Sequence, residues 1–97
     1  MINKEKREYI INELEIEAAF FDNPSFDNSI IGVTNDGKLV YDYELMIEEL
    51  SIDDDMSDID AMEFIDYNTM RTIPYIDEEI RPVILYSFTE DFNDEYR

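Results

Sequence analysis

Ser29-Ile30-Ile31-Gly32-Val33-Thr34-Asn35-Asp36-Gly37-Lys38-Leu39-Val40-Tyr41 decides how this chain folds. Two β-branched and apolar runs flank Asn35-Asp36-Gly37. Glycine tolerates the positive φ of a tight turn, so the stretch predicts a β-hairpin over 29–41. Asp42 follows directly and is placed to cap a helix. Two strands alone are marginal in water. Pro82-Val83-Ile84-Leu85-Tyr86-Ser87-Phe88 is the best strand candidate in the chain and is expected to pair with the hairpin. The expected fold class is α+β. A small three-stranded antiparallel sheet, hairpin 29–41 plus strand 82–88, would be packed by an N-terminal helix and two central acidic helices.

Outward from the hairpin, residues 4–21 read as a helix. Tyr9, Ile10, Leu14, Ala18 and Phe21 recur at steps of three and four, and Pro24 ends the element. A loop is expected from Asp22 to Asn28. Beyond Asp42, residues 43–51 form a short amphipathic helix with Tyr43, Met46, Ile47 and Leu50 on its apolar face. Asp53-Asp54-Asp55 interrupts it, because Asp competes for backbone donors. Ser57, with Asp60 three residues on, opens a second helix expected to end near Arg71, before Pro74. Its inner face would be Ala61, Met62, Ile65 and Thr69, with Ile59 and Phe64 beside them. Residues 75–81 read as a loop. The whole of 1–97 is expected to be one domain: a helical extension over 1–27, an α+β core over 29–88 and an acidic tail over 89–97.

Apolar residues make up 44% of the sequence, with 14 Ile, 6 Phe and 7 Tyr, enough for a core and unlike an acidic disordered tail. Cysteine and histidine are both absent. Disulfides, thiolate sites, His/Cys zinc sites and a Ser-His-Asp arrangement are thereby excluded. Two glycines leave no phosphate-cradling loop. Asp53-x-Asp55-x-Ser57 begins like a calcium loop, but Asp58 stands where the turn glycine belongs and Phe64 where the last Glu belongs. Paired-carboxylate hydrolysis needs a cleft larger than so small a chain is expected to enclose. No enzyme activity, metal or cofactor is expected. The basic start, Lys4 to Arg7, has no apolar run behind it and does not read as a signal peptide. A cytoplasmic location is the expectation, with no membrane contact.

Charge is the chain's dominant chemical feature. Asp and Glu number 26 against 7 Lys and Arg, a formal net charge of −19. Small domains stay soluble with a net charge of only about 2–8, and excess charge destabilises the compact state. Adaptation to high salt is one explanation. The abundant Ile, Asn and Tyr suggest an AT-rich genome, which usually raises Lys as well. Only Lys4, Lys6 and Lys38 occur, so the shortage of Lys is specific to this protein. The acids also have a location. Between Lys38 and Arg71 lie 11 carboxylates and no cation: Asp42, Glu44, Glu48, Glu49, Asp53, Asp54, Asp55, Asp58, Asp60, Glu63 and Asp66. A solvated helix face is the ordinary reading of such a run, but such faces commonly carry interspersed Lys, and this one has none. Carboxylates about 5–6 Å apart on helices can imitate phosphates spaced about 3.4 Å along one DNA strand. The aromatics could stack on bases, but no basic groove accompanies them, and direct nucleic-acid binding is not expected.

Gly32-Val33-Thr34-Asn35-Asp36-Gly37-Lys38-Leu39-Val40-Tyr41-Asp42-Tyr43 resembles a family of small proteins of Firmicutes and their phages. Asp60-Ala61-Met62-Glu63-Phe64-Ile65-Asp66-Tyr67-Asn68-Thr69-Met70-Arg71-Thr72-Ile73-Pro74-Tyr75 carries the same resemblance, which covers about residues 30–86. It implies an origin in mobile elements. In size, charge and origin the chain is also similar to anti-CRISPR proteins, several of which are acidic and occupy sites that would hold DNA. That similarity implies an inhibitor of a nucleic-acid-handling effector, most of all Cas9, whose basic channels hold nucleic acid. Glu48, Glu49, Asp53, Asp54, Asp55, Asp58 and Asp60 are the expected partner-binding residues, with Asp77, Glu78 and Glu79 as a second patch. Tyr67, Asn68, Arg71 and Tyr75 are expected to tie a helix end to the following loop, with Arg71 bonding last-turn carbonyls or nearby acids. The alternative is a non-inhibitory interaction module of a mobile element, with residues 9–21 as the seam of a homodimer.

Overall fold

A computed structural model describes residues 2–22 and 24–87, with side chains from residue 6 onward. The hairpin forms as its sequence requires. Strand β1 (Ile30–Val33) pairs antiparallel with β2 (Leu39–Asp42), with a bulge between Ile30 and Gly32. Gly37 takes φ +88° in the connecting turn. Thr34 fastens that turn: its N–H donates to Lys38 O at 2.8 Å, and its Oγ1 accepts from Lys38 N at 2.9 Å. The Thr34 hydroxyl also donates to Asp36 and holds that carboxyl below its ordinary pKa.

The third strand corrects the expected antiparallel sheet. β3 (Val83–Leu85) pairs parallel to β2, Val40 opposite Val83 and Asp42 opposite Leu85, so the sheet is mixed in the order β1-β2-β3. The reason is topological. A helical layer intervenes between β2 and β3 and returns the chain to the end where β2 began, and parallel neighbours require such a crossover. The strand is shorter than the expected 82–88, and Phe88 and the 89–97 tail lie outside the described residues.

Helix α2 (Tyr43–Asp53) starts at Asp42, whose Oδ2 accepts from Leu45 N at 3.1 Å. Tyr43, Met46, Ile47 and Leu50 are its buried face. Helix α3 (Asp58–Phe64) starts at Ser57, whose hydroxyl accepts from Asp60 N at 3.1 Å. Its α-helical pairing ends at Thr72, next to Arg71 and before Pro74 as expected, but it is not regular throughout. It widens into a π-helical turn over Ile65–Thr69, resumes over Met70–Thr72, and tightens into a 3₁₀ turn at Ile73–Tyr75. The π turn shifts pairing by one residue, with Met70 N–H reaching Ile65 O. Ala61, Ile65 and Thr69 face inward as expected, but Met62 and Ile59 do not; they are exposed.

The N-terminal helix is the largest departure. α1 spans Ile2–Asn12, not 4–21, and Glu15 sits at φ 53°. Glu13, Glu15 and Glu17 explain the stop. Carboxylates oppose the negative C-terminal end of the helix dipole, and Glu13 and Glu17 would repel at i,i+4. The following segment crosses the molecule without helical pairing, and Ala19 N–H donates to Ile80 O at 3.0 Å. Its apolar residues still reach the core. Ile10, Phe21 and Phe26 join Ile30, Leu39, Tyr41, Met46, Leu50 and Ile65 in one buried cluster.

Cations do internal work here. Lys6 Nζ donates to Ile30 O at 3.0 Å, and Arg7 Nη2 donates to Phe21 O and to buried Asp27 Oδ1, each at 3.0 Å. Arg7 also lies over the Phe20 ring at 4.5 Å. These contacts fix α1 to the turn before β1.

Tyr41, fully buried on β2, accepts a hydrogen bond from Phe21 N at 3.2 Å. Burial pushes its phenol up to about 12 from an ordinary value of 10.0. The folded state thus holds this proton more tightly than the unfolded chain. The associated stability is complete below pH 10 and is lost as pH rises to about 12, a cost on the order of 2–3 kcal/mol. Alkaline titration followed by circular dichroism is expected to show unfolding across that window, with a smaller drop in Tyr41→Phe.

Candidate functional site

The anionic arc is carried by α2, the link after it, and α3. Of its 11 carboxylates, Asp42 is buried as a helix cap and Glu49 is half-buried. The other nine are exposed. Among the described residues the ion pairs are Arg7–Asp27 and Lys38–Asp36, and neither belongs to the arc. Glu44 and Glu48 stand on α2. Asp53 ends that helix, Asp54 caps it, and its N–H donates to Leu50 O at 3.0 Å. Asp55 takes φ 58°, the left-handed conformation that usually ends a helix at Gly or Asn and that Asp also tolerates. Met56 then turns inward, and Ser51 Oγ fastens the link by donating to Met56 O at 2.9 Å and to Asp58 Oδ1 at 3.3 Å. Asp58 and Asp60 lie in the first turn of α3, where the helix dipole favours them.

Glu49 stands apart from the other expected contact residues. Ser29 Oγ donates to its Oε1 at 2.7 Å, joining α2 to the turn before β1. Burial raises its carboxyl pKa, against the lowering effect of the Ser29 bond. It is a structural tie as well as a member of the face. Asp66 has a similar tie, accepting from the Tyr43 hydroxyl at 3.1 Å.

The second patch, Asp77, Glu78 and Glu79, is exposed too. Glu78 and Glu79 line a surface hollow with Asp36 and Lys38 of the hairpin turn. That places them where β2 begins, whereas α2 leaves from the other end of the strand. Lys38 therefore shares their surroundings, whereas no ion pair to an arc carboxylate occurs among the described residues.

Two features were not anticipated. Ile52 is 73% exposed and Ile59 is 68% exposed, so large apolar side chains stand among the acids. The signal was present: neither residue falls on the three-and-four spacing of its helix's buried face. The second is Arg81, whose Nε and Nη2 donate to Ile76 O at 3.1 and 2.8 Å and whose Nη2 donates to Pro74 O at 3.2 Å. The role expected of Arg71, bonding carbonyls at the helix end, belongs to Arg81. Arg71 instead lies 5.8 Å over the Tyr67 ring. Asn68 Nδ2 donates to Phe64 O at 3.0 Å, beside the π turn. Tyr75 is almost fully exposed.

Among the described residues no cluster of three or more Asp or Glu is placed to hold a metal ion, and no helix is long and apolar enough to cross a membrane. The arrangement offers hydrogen-bond acceptors and negative charge on a helical face, chemistry suited to binding Lys and Arg side chains. No protein-family model, curated protein or solved structure matches the chain.

Proposed function

We propose that this protein is an anti-CRISPR-type inhibitor that covers a basic, DNA-holding surface of a nucleic-acid-handling effector, of the kind Cas9 presents. The reading rests on one observation: nine exposed carboxylates on two consecutive helices and their link, none of them in an ion pair with another described residue. Self-repulsion on that scale costs stability, and a cationic partner relieves it. Inhibition is by occupancy, with no catalytic step and no cofactor, in the cytoplasm of a bacterial host. Binding is steered by charge and weakens steeply as salt screens it. The test is DNA cleavage by guide-loaded Cas9 orthologues with and without the protein at low and high salt. Inhibition that fades with salt is expected. Unimpaired cleavage by every orthologue at large inhibitor excess would remove Cas9 as the target.

A second reading, a non-inhibitory module that self-associates, draws on α1. Tyr9 and Ile11 are 56% and 47% exposed on that helix, and Leu14 just beyond it is 43% exposed. Light scattering across protein concentration separates the two, since a dimer through α1 doubles the mass without any partner.

A further inference from the structure

Leu45, Glu48, Glu49, Ile52 and Asp53 fall at i, i+3, i+4, i+7 and i+8 of α2 and so share one stripe. With Asn28 they line a concavity of about 230 Å³. Small-molecule sites usually exceed about 300 Å³, so this hollow suits a side chain rather than a ligand. Its floor and rim are mixed: an apolar pair, half-buried Leu45 and strongly exposed Ile52, set between three carboxylates. A phosphate surface has no counterpart to that pair. A protein segment does.

We infer that this stripe receives a cationic amphipathic helix of a protein partner, with one apolar side chain seated between Leu45 and Ile52 and Lys or Arg side chains on Glu48, Glu49 and Asp53. The inference rests on the reading of the arc as a surface for a basic partner, and it names the partner's form. Charge complementarity selects the occupant. A nucleic acid or an anionic bilayer is repelled by the stripe, and a neutral apolar helix would leave the carboxylates buried without partners. The spacing fits a helix. Leu45 and Ile52 are two turns apart, about 10 Å along the axis, and packed helices meet through such i±3 and i±4 rows. Apolar anchors ringed by polar contacts are the usual form of a helix in a groove.

The test is fluorescence anisotropy with the full chain and two labelled probes of equal charge, a Lys/Arg-rich amphipathic helix with a central Leu and an oligolysine. Ile52→Ser is the informative variant, because so exposed a side chain contributes little to the fold and circular dichroism can verify that. The amphipathic probe is expected to bind more tightly than oligolysine and to lose about tenfold or more on Ile52→Ser or on Leu→Ser in the peptide. Oligolysine should not respond to Ile52→Ser. Equal binding of both probes, or an amphipathic affinity indifferent to Ile52→Ser, overturns the inference and leaves a purely electrostatic face standing. Failure of both probes to bind at low salt overturns the inference together with the basic-partner reading on which it rests.

Discussion

Asp53→Asn, Asp54→Asn and Asp55→Asn combined are expected to weaken binding to a basic partner while making the protein more stable. Each exposed ion pair contributes about 0.2–1 kcal/mol, so three lost together reduce affinity by about threefold to a hundredfold at low salt. Stability moves the other way because of where the acids sit. Asp53 is the last residue of α2, Asp54 caps it and Asp55 follows. All three carboxylates face the negative end of the helix dipole, each at a cost of about 0.3–1 kcal/mol. Neutralisation also removes mutual repulsion, and Asn accepts the left-handed backbone of residue 55 as readily as Asp. The thermal midpoint should therefore rise as affinity for a cationic peptide falls. Acids retained only for solubility would give the rise without the loss, and that result would remove the link from the binding surface.

Leu39→Ala is expected to remove a large part of the molecule's stability. Leu39 has no exposed surface and lies on β2, the strand paired on both sides. Buried Leu→Ala changes cost about 2–5 kcal/mol, the transfer energy of the side chain plus the cavity it leaves. Small domains have about 5–15 kcal/mol in total, and this one also bears the repulsion of its acids. Urea unfolding should show a midpoint far below that of the parent chain with an unchanged slope. A loss under about 1 kcal/mol would mean that the site collapses around the smaller side chain.

Local chemistry was legible in the sequence. Asn35-Asp36-Gly37 turned the hairpin, Asp42 and Ser57 capped the helices, and the spacing of Tyr43, Met46, Ile47 and Leu50 gave the buried face of α2. What was not legible depends on partners far along the chain. The direction of β3 is set by how the helical layer returns the chain, and nothing in Val83-Ile84-Leu85 encodes parallel or antiparallel pairing. The apolar spacing of residues 9–21 is real, yet those side chains reach the core from a short helix and an irregular crossing strap. Alternating glutamates outweighed periodicity there. Arg81 and Lys6 carry no motif either, since they act on carbonyls that only folding brings within reach. In the candidate site, the exposure of the acids followed from their helix faces. The half-burial of Glu49 did not, because it depends on Ser29, twenty residues earlier.

The mixed sheet has a consequence for how the molecule comes to exist. β2 finds its antiparallel neighbour at once, across a short turn, but its parallel neighbour arrives only after the whole helical crossover. A two-stranded hairpin is marginal by itself, and non-local pairings form slowly. During synthesis the ribosome therefore releases β1, β2 and the acidic helices before the residues that close the sheet. Until Val83 to Leu85 emerge, β2 has one edge without its native partner, and open edges of that kind are where strands pair wrongly.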